Sequence, residues 1–114
     1  MKDKVVVITG GSSGIGKALA LEFGSKGSRV VITGTNEEAL RETVQELTGK
    51  GVQVLSVHAD VTLPEDNKRM AEQAVKTFGG IDVLINNAGI SMRAIFEEVD
   101  PDVIKRVMDI NFYG

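Results

Sequence analysis

The feature that most limits how this chain can fold is a set of short β-branched runs, each dense in apolar residues. Val5-Val6-Val7-Ile8 is the first, and Arg29-Val30-Val31-Ile32 carries the second. Val52, Val54, Leu55 and Val57 mark a third, and Ile81 to Ile85 a fourth. Such runs lack the alternating polar face of a half-exposed strand, so they must be covered on both sides. A helix-length segment follows each of the first three. Strands that alternate with helices in this way connect by right-handed crossovers into a parallel sheet, with helices on both faces.

The intervening segments carry helical spacing. Ile15, Ala18, Leu19 and Phe23 recur at intervals of three and four, which predicts a helix burying that stripe and ending at Gly27. Thr35 and Glu38 have the spacing of a capping box, which predicts a second helix with Leu40, Val44 and Leu47 inward, closed by Gly49 and Gly51. Thr62 and Glu65 repeat that spacing before a third helix, with Pro64 in its first turn and Met70, Ala71, Ala74, Val75 and Phe78 along it. Gly79-Gly80 ends it. Asp100-Pro101 predicts the start of a last helix containing Val103, Ile104, Val107 and Met108, with no stop signal before Gly114. No linker, repeat or low-complexity stretch interrupts this order. The fold class expected is α/β: a doubly wound parallel sheet of the Rossmann type, strand order 3-2-1-4, forming one half-domain over residues 1–114.

Composition excludes several function classes. The net charge is −3 and basic residues occur in runs of at most two, so no nucleic acid partner is expected. There is no cysteine, which removes disulfides, thiolate metal sites and a cysteine nucleophile. His58 is the only histidine; it cannot build a metal site alone and reads as a strand-end residue with no special task. No metal is expected. No apolar stretch is long enough to span a membrane, and the first residues run directly into a strand and not into a signal peptide. A cytoplasmic location is expected. With aromatics at 4%, the core must be built from Val, Ile, Leu and Ala.

The chemistry-bearing feature is the turn from Gly10 to Gly16. Gly10, Gly14 and Gly16 lie between the first strand and the first helix. The unpaired N–H groups and dipole of a helix start form an anion site, and glycines let the backbone approach a phosphate closely. A plain strand-to-helix turn needs fewer glycines and serines than this, so phosphate binding is the expected role. A second pattern overlaps it. Gly11-x-x-x-x-Gly16-Lys17 opens like a nucleotidase phosphate loop, but Ala18 stands where that motif needs a Mg²⁺-holding Ser or Thr. A degenerate nucleotidase, or a non-catalytic nucleotide-binding half-domain, remains the alternative.

Thr9-Gly10-Gly11-Ser12-Ser13-Gly14-Ile15-Gly16 resembles the T-G-x-x-x-G-I-G fingerprint of the short-chain dehydrogenase/reductase family. Asn86-Asn87-Ala88-Gly89 resembles its N-N-A-G motif, Asp60-Val61 its adenine-contacting pair, and Asn111 its catalytic asparagine. The resemblance implies that Gly10, Ser12, Ser13, Gly14, Ile15 and Gly16 hold the pyrophosphate. It implies that Asp60 and the Val61 amide contact adenine, although Asp60 can equally cap a turn. Asn86, Ala88 and Gly89 would pass near the ribose and nicotinamide, and Asn87 would brace neighbouring strands. Asn111, inside the last helix, would hold a water in a proton relay. Ser91 and Tyr113 match no catalytic position.

The family transfers hydride between a nicotinamide cofactor and a carbonyl or alcohol, using a Ser, a Tyr and a Lys. These should follow the helix bearing Asn111, and Tyr113, the sole tyrosine, is followed only by Gly114. The 114-residue chain therefore reads as truncated relative to the family domain, and alone it is expected to be inactive. No carboxylate appears at Gly34 or Thr35, where an NAD-type member would accept from the ribose 2′-hydroxyl; the first is Glu37. No Arg or Lys stands at Ser13 or Thr35 either. The missing repulsion leans towards NADP over NAD, with Thr35 a candidate contact, unless it only caps its helix. The fourth strand is expected at an open sheet edge, which invites self-association or a homo-oligomer.

Overall fold

A computed structural model describes residues 2–12 and 14–87, together with the backbone of 108–111. The order of elements is β1 (Val5–Thr9), α1 (Gly14–Ser25), β2 (Arg29–Gly34), α2 (Glu37–Gly49), β3 (Gln53–His58), α3 (Pro64–Phe78), β4 (Val83–Asn86) and β5 (Met108–Asn111). All the described strands are parallel, in the order β3-β2-β1-β4-β5. The 3-2-1-4 core of a doubly wound sheet is therefore present.

The pleat distributes the apolar residues of each strand between two faces. Val5 and Val7 of β1, with Val31, Val57 and Leu84, pack against Met70, Ala71 and Ala74 of α3. Val6 and Ile8, with Val30, Ile32, Val83 and Ile85, pack against Ala20 of α1 and Leu40 and Leu47 of α2. All four apolar residues of β1 are buried, as unalternating runs require. Backbone pairing sets the register. Val5 aligns with Arg29 and Thr9 with Thr33 on one side, and Thr9 aligns with Asn86 on the other. Asp82 locks the entry to β4, its carboxylate accepting from the Val5 amide at 2.8 Å while its own N–H donates to the Val5 carbonyl at 2.9 Å.

Four expectations need correction. On α1, Ile15 and Ala18 are exposed, and the buried positions are Gly16 and Ala20 with Leu19 and Phe23 partly covered. The helix turns its small residues to the sheet because its N-terminus lies too close to β1 for larger ones. The cap of α2 is Asn36 and not Thr35: the Asn36 side chain accepts from the Ala39 amide at 3.1 Å. The cap of α3 is Leu63, with Pro64 at the first position and no side-chain cap bond. Thr62 has no capping role because its amide and hydroxyl are both engaged by Asp60.

The fourth correction concerns Met108–Asn111. These residues, expected in a helix, form a strand paired with β4, with Val83 aligned to Met108 and Asn86 to Asn111. Met108-Asp109-Ile110-Asn111 alternates apolar and polar at period two, so the same letters that fit the end of a helical stripe also fit a strand. The edge of β4 supplies the deciding hydrogen bonds. The open β4 edge on which self-association was expected is thereby covered, and β3 and β5 are the described edges. The start at Asp100-Pro101 and residues Val103, Ile104 and Val107 lie outside the described residues.

The cap assignment is testable. Asn36→Ala should lower stability by about 1 kcal/mol, whereas Thr35→Ala should change it by less than about 0.5 kcal/mol. Urea denaturation of both variants checks this, and the reverse ranking would return the cap to Thr35.

Candidate functional site

Parallel strands bring their C-terminal ends to one edge, and the helices that follow begin there. Thr9, Gly34, His58 and Asn86 end β1, β2, β3 and β4 in turn. The connection from β1 runs to one side of the sheet into β2, while β4 lies on the other side of β1. A crevice opens at such a switch point.

The glycine turn closes over this edge. Gly10 takes φ +66, a left-handed conformation that a side chain resists. The Gly11 amide donates to the Thr33 carbonyl at 3.0 Å, tying the turn to β2. A Cβ on Gly16 would lie 2.2 Å from the Gly10 carbonyl oxygen, so only glycine lets α1 start this close to β1. Gly14, in contrast, has open space where a Cβ would be. Helix geometry directs the first N–H groups of α1 out of its end. Ile15 stands beside them, 48% exposed. Ser12 lies next to Gly34, with its Oγ 3.2 Å from the place of a Cβ there. Lys17, the lysine of the alternative nucleotidase pattern, is paired with Glu46 of α2. That contact holds the Glu46 carboxyl below its usual range.

Thr9, absent from the expected site residues, ties the two central strands together. Its hydroxyl accepts from the Asn87 amide at 2.9 Å and contacts Asn86 Oδ1 at 3.2 Å. Asn87 Nδ2 reaches the Gly10 carbonyl at 3.5 Å. Asn87 thus links the end of β4 to Thr9 and the glycine turn. Ser13, Ala88 and Gly89 lie outside the described residues, as do Ser91 and Tyr113. The backbone of Asn111 ends β5 beside Asn86 at the same edge.

A second turn, from Ala59 to Leu63, follows β3. Four of its five amides are engaged within the protein. Ala59 donates to the Gly34 carbonyl, Asp60 to Asp66 Oδ2, Thr62 to Asp60 Oδ1 and Leu63 to the Asp60 carbonyl. The Val61 amide alone finds no acceptor among the described residues. The Asp60 side chain does cap this turn, with Oδ1 also accepting from the Thr62 hydroxyl at 2.6 Å. Its Oδ2 takes no part. The turn therefore presents one N–H donor beside one carboxylate acceptor. The bonds from Thr62, the hydroxyl first and then the amide, hold the Asp60 carboxyl below the ordinary carboxylate range.

His58 has a definite setting that its isolation in the sequence did not suggest. Nε2 lies 2.8 Å from the Thr35 carbonyl and so donates to it, and Nδ1 lies 3.5 Å from Glu37 Oε1. Glu37 Oε1 thus lies beside the end of β3.

This arrangement is matched by known proteins. The family model for short chain dehydrogenase covers residues 4–114. The chain belongs to the short-chain dehydrogenase family. The uncharacterized oxidoreductase YxnA of Bacillus subtilis is 46% identical over all of this chain and 32% of its own length. The 11-beta-hydroxysteroid dehydrogenase A of Sesamum indicum is 42% identical over 97% of this chain and 32% of its own. Among solved structures, a short chain dehydrogenase from Bacillus anthracis is 50% identical, with a TM-score of 0.72 over 77% of this chain and 35% of that one. An actinorhodin polyketide ketoreductase with NADPH aligns at 37% identity and TM-score 0.73, over 76% of this chain and 33% of that one. An NAD⁺-bound xylitol dehydrogenase aligns at 36% and 0.74, over 78% and 34%. The chain of this family member thus spans about a third of the length of the relatives it matches.

The Asp60 turn makes a pH-dependent prediction. Because the folded-state carboxyl titrates below its unfolded value, the turn contributes at neutral pH and is lost as pH falls through the folded midpoint. Thr62→Val should move the Asp60 midpoint up towards the ordinary range, as read by carboxyl-carbon NMR titration. An unmoved midpoint would show that the Thr62 hydroxyl is not the cause.

Proposed function

We propose that residues 1–114 are the dinucleotide-binding part of an oxidoreductase that transfers hydride between a nicotinamide cofactor and a carbonyl or alcohol substrate. One observation carries this reading: the C-terminal sheet edge joins a backbone anion site to an unengaged donor–acceptor pair suited to a base. Gly10, Gly14 and Gly16 would line the pyrophosphate, with Ser12, Ser13 and Ile15 offering backbone or hydroxyl groups. The open space at Gly14 supports this, because it leaves the approach clear. Asp60 and the Val61 amide would read the adenine edge. Asn87, with Ala88 and Gly89, would line the ribose and nicotinamide side, and Asn111 would serve the proton relay.

When bound, the nicotinamide supplies or accepts the hydride. These residues bind it, orient it and neutralise its phosphates. The Ser, Tyr and Lys that the family uses to move the proton have no counterpart among residues 1–114, so in this reading that step is completed by groups outside them.

NADP is the favoured cofactor. Gly34 and Thr35 carry no charge to repel a 2′-phosphate. Glu37, the first carboxylate after β2, lies beside His58 of β3. Asn36 holds the cap of α2, which leaves the Thr35 hydroxyl available to the ribose.

Gly14→Leu should leave the fold intact, since no described atom lies within 4 Å of its Cβ, yet weaken NADPH binding by at least about tenfold. Calorimetric titration showing unaltered affinity would refute the phosphate role. Wild-type protein should bind NADPH more tightly than NADH. Gly34→Asp should shift that ratio towards NADH by about tenfold. Fluorescence titration of both cofactors decides it, and tighter NADH binding by the wild type would overturn the preference.

A further inference from the structure

The buried face of α3 contains Met70, Ala71, Ala74 and a single polar residue, Asn67. Asn67 is fully covered at 0% exposure. Its Nδ2 donates to the Val61 carbonyl at 2.7 Å. Its Oδ1 meets no donor among the described residues. A buried amide with one end unsatisfied disfavours the fold relative to an apolar residue at the same place. Packing therefore gives no account of Asn67, and its one bond must be sought as the reason for it.

That bond ends on the residue whose amide is left over in the Ala59–Leu63 turn. The Val61 side chain packs on the core cluster that includes Met70, Ala71 and Ala74, and its carbonyl is fastened by Asn67. With both of these held, Val61 is fixed in the turn, and its N–H is the amide that has no acceptor among the described residues. One residue earlier, the Asp60 amide is fastened by Asp66 Oδ2 at 2.9 Å. Neighbouring side chains on the first turn of α3 thus hold the two residues that would face the base.

We propose that Asn67 is a positioning residue for base recognition: by anchoring the Val61 carbonyl it holds the Val61 N–H beside the Asp60 carboxylate, in the donor–acceptor order that selects adenine. The inference rests on the dinucleotide reading above and names what sets its base selectivity. Adenine offers an amino donor to a carboxylate and a ring-nitrogen acceptor to an N–H. Hypoxanthine reverses both groups, so a fixed edge rejects it, whereas a loosened edge does not.

The test titrates the full chain with NADPH and with its hypoxanthine analogue. The wild type should bind NADPH more tightly. Asn67→Leu removes the bond and relieves the unsatisfied oxygen. Asn67→Ala removes the same bond with a smaller side chain, which guards against a packing artefact. Both should reduce the preference for NADPH over the analogue by about five- to tenfold, with affinity for the analogue nearly unchanged. A purely structural role would weaken both ligands equally and leave the ratio intact, and an intact ratio in both variants overturns the proposal. A wild type that binds NADPH without distinguishing the analogue overturns the Asp60–Val61 base edge itself, and this inference with it. A wild type that binds neither ligand overturns the dinucleotide reading and everything built on it.

Discussion

Val6, Val7 and Ile8 have no exposed surface, and the rest of the structure depends on keeping them so. A strand buried on both faces needs a neighbour on each edge and a helix layer on each side. β2 and β4 supply the edges, α1 and α2 one layer, and α3 the other. Removing apolar surface of this kind from water is the dominant favourable term in folding. Once β1 is central, the chain must leave it at the same edge where β4 ends, and the switch-point crevice follows from topology alone.

The site is therefore assembled from what strand ends leave unfinished. The glycine turn is held to β2 by the Gly11 amide and carries the start of α1 at the same edge. The Ala59–Leu63 turn uses two amides on itself, one on β2 and one on α3, and leaves Val61. Thr9 and Asn87 tie β1, β4 and the glycine turn into one unit at the point where a ligand would press on them. Rigid elements below and spare hydrogen-bonding groups above are what a preorganised binding edge requires.

Charge is sparingly used at this edge. Asp60 is stabilised as a carboxylate by Thr62 and not by a cation, so it stays available to an uncharged donor. Glu37 lies beside His58, and Arg69 Nη2 donates to the His58 carbonyl at 2.6 Å. Lys17 is engaged by Glu46. Anion binding at the glycine turn would then rely on backbone N–H groups and the helix dipole, which do not depend on pH.

The sequence by itself determined the order of elements as far as β4, the parallel sheet and the place of the glycine turn. These follow from local pattern: run length, β-branching, helical spacing, and glycines where φ or close approach demands them. The Gly10–Gly16 turn was legible for the same reason, whereas Asp60–Val61 stood out only through its resemblance to a family motif. What tertiary structure decided is which partner each ambiguous group takes. Thr35 and Asn36 are adjacent and both able to cap, and only the path from β2 into α2 selects Asn36. Met108–Asn111 fits two periods, and the unpaired edge of β4 chooses the strand. His58 looked idle because Thr35 and Glu37, more than twenty residues away, come beside it only when β2 and β3 pair. Asn67 had a visible signal, an asparagine on an apolar stripe, but its purpose was not readable. Its carbonyl partner is brought within reach only when the turn folds back on α3. Local spacing encodes which conformations a segment can adopt, whereas hydrogen bonds across elements are resolved only when packing brings distant groups together.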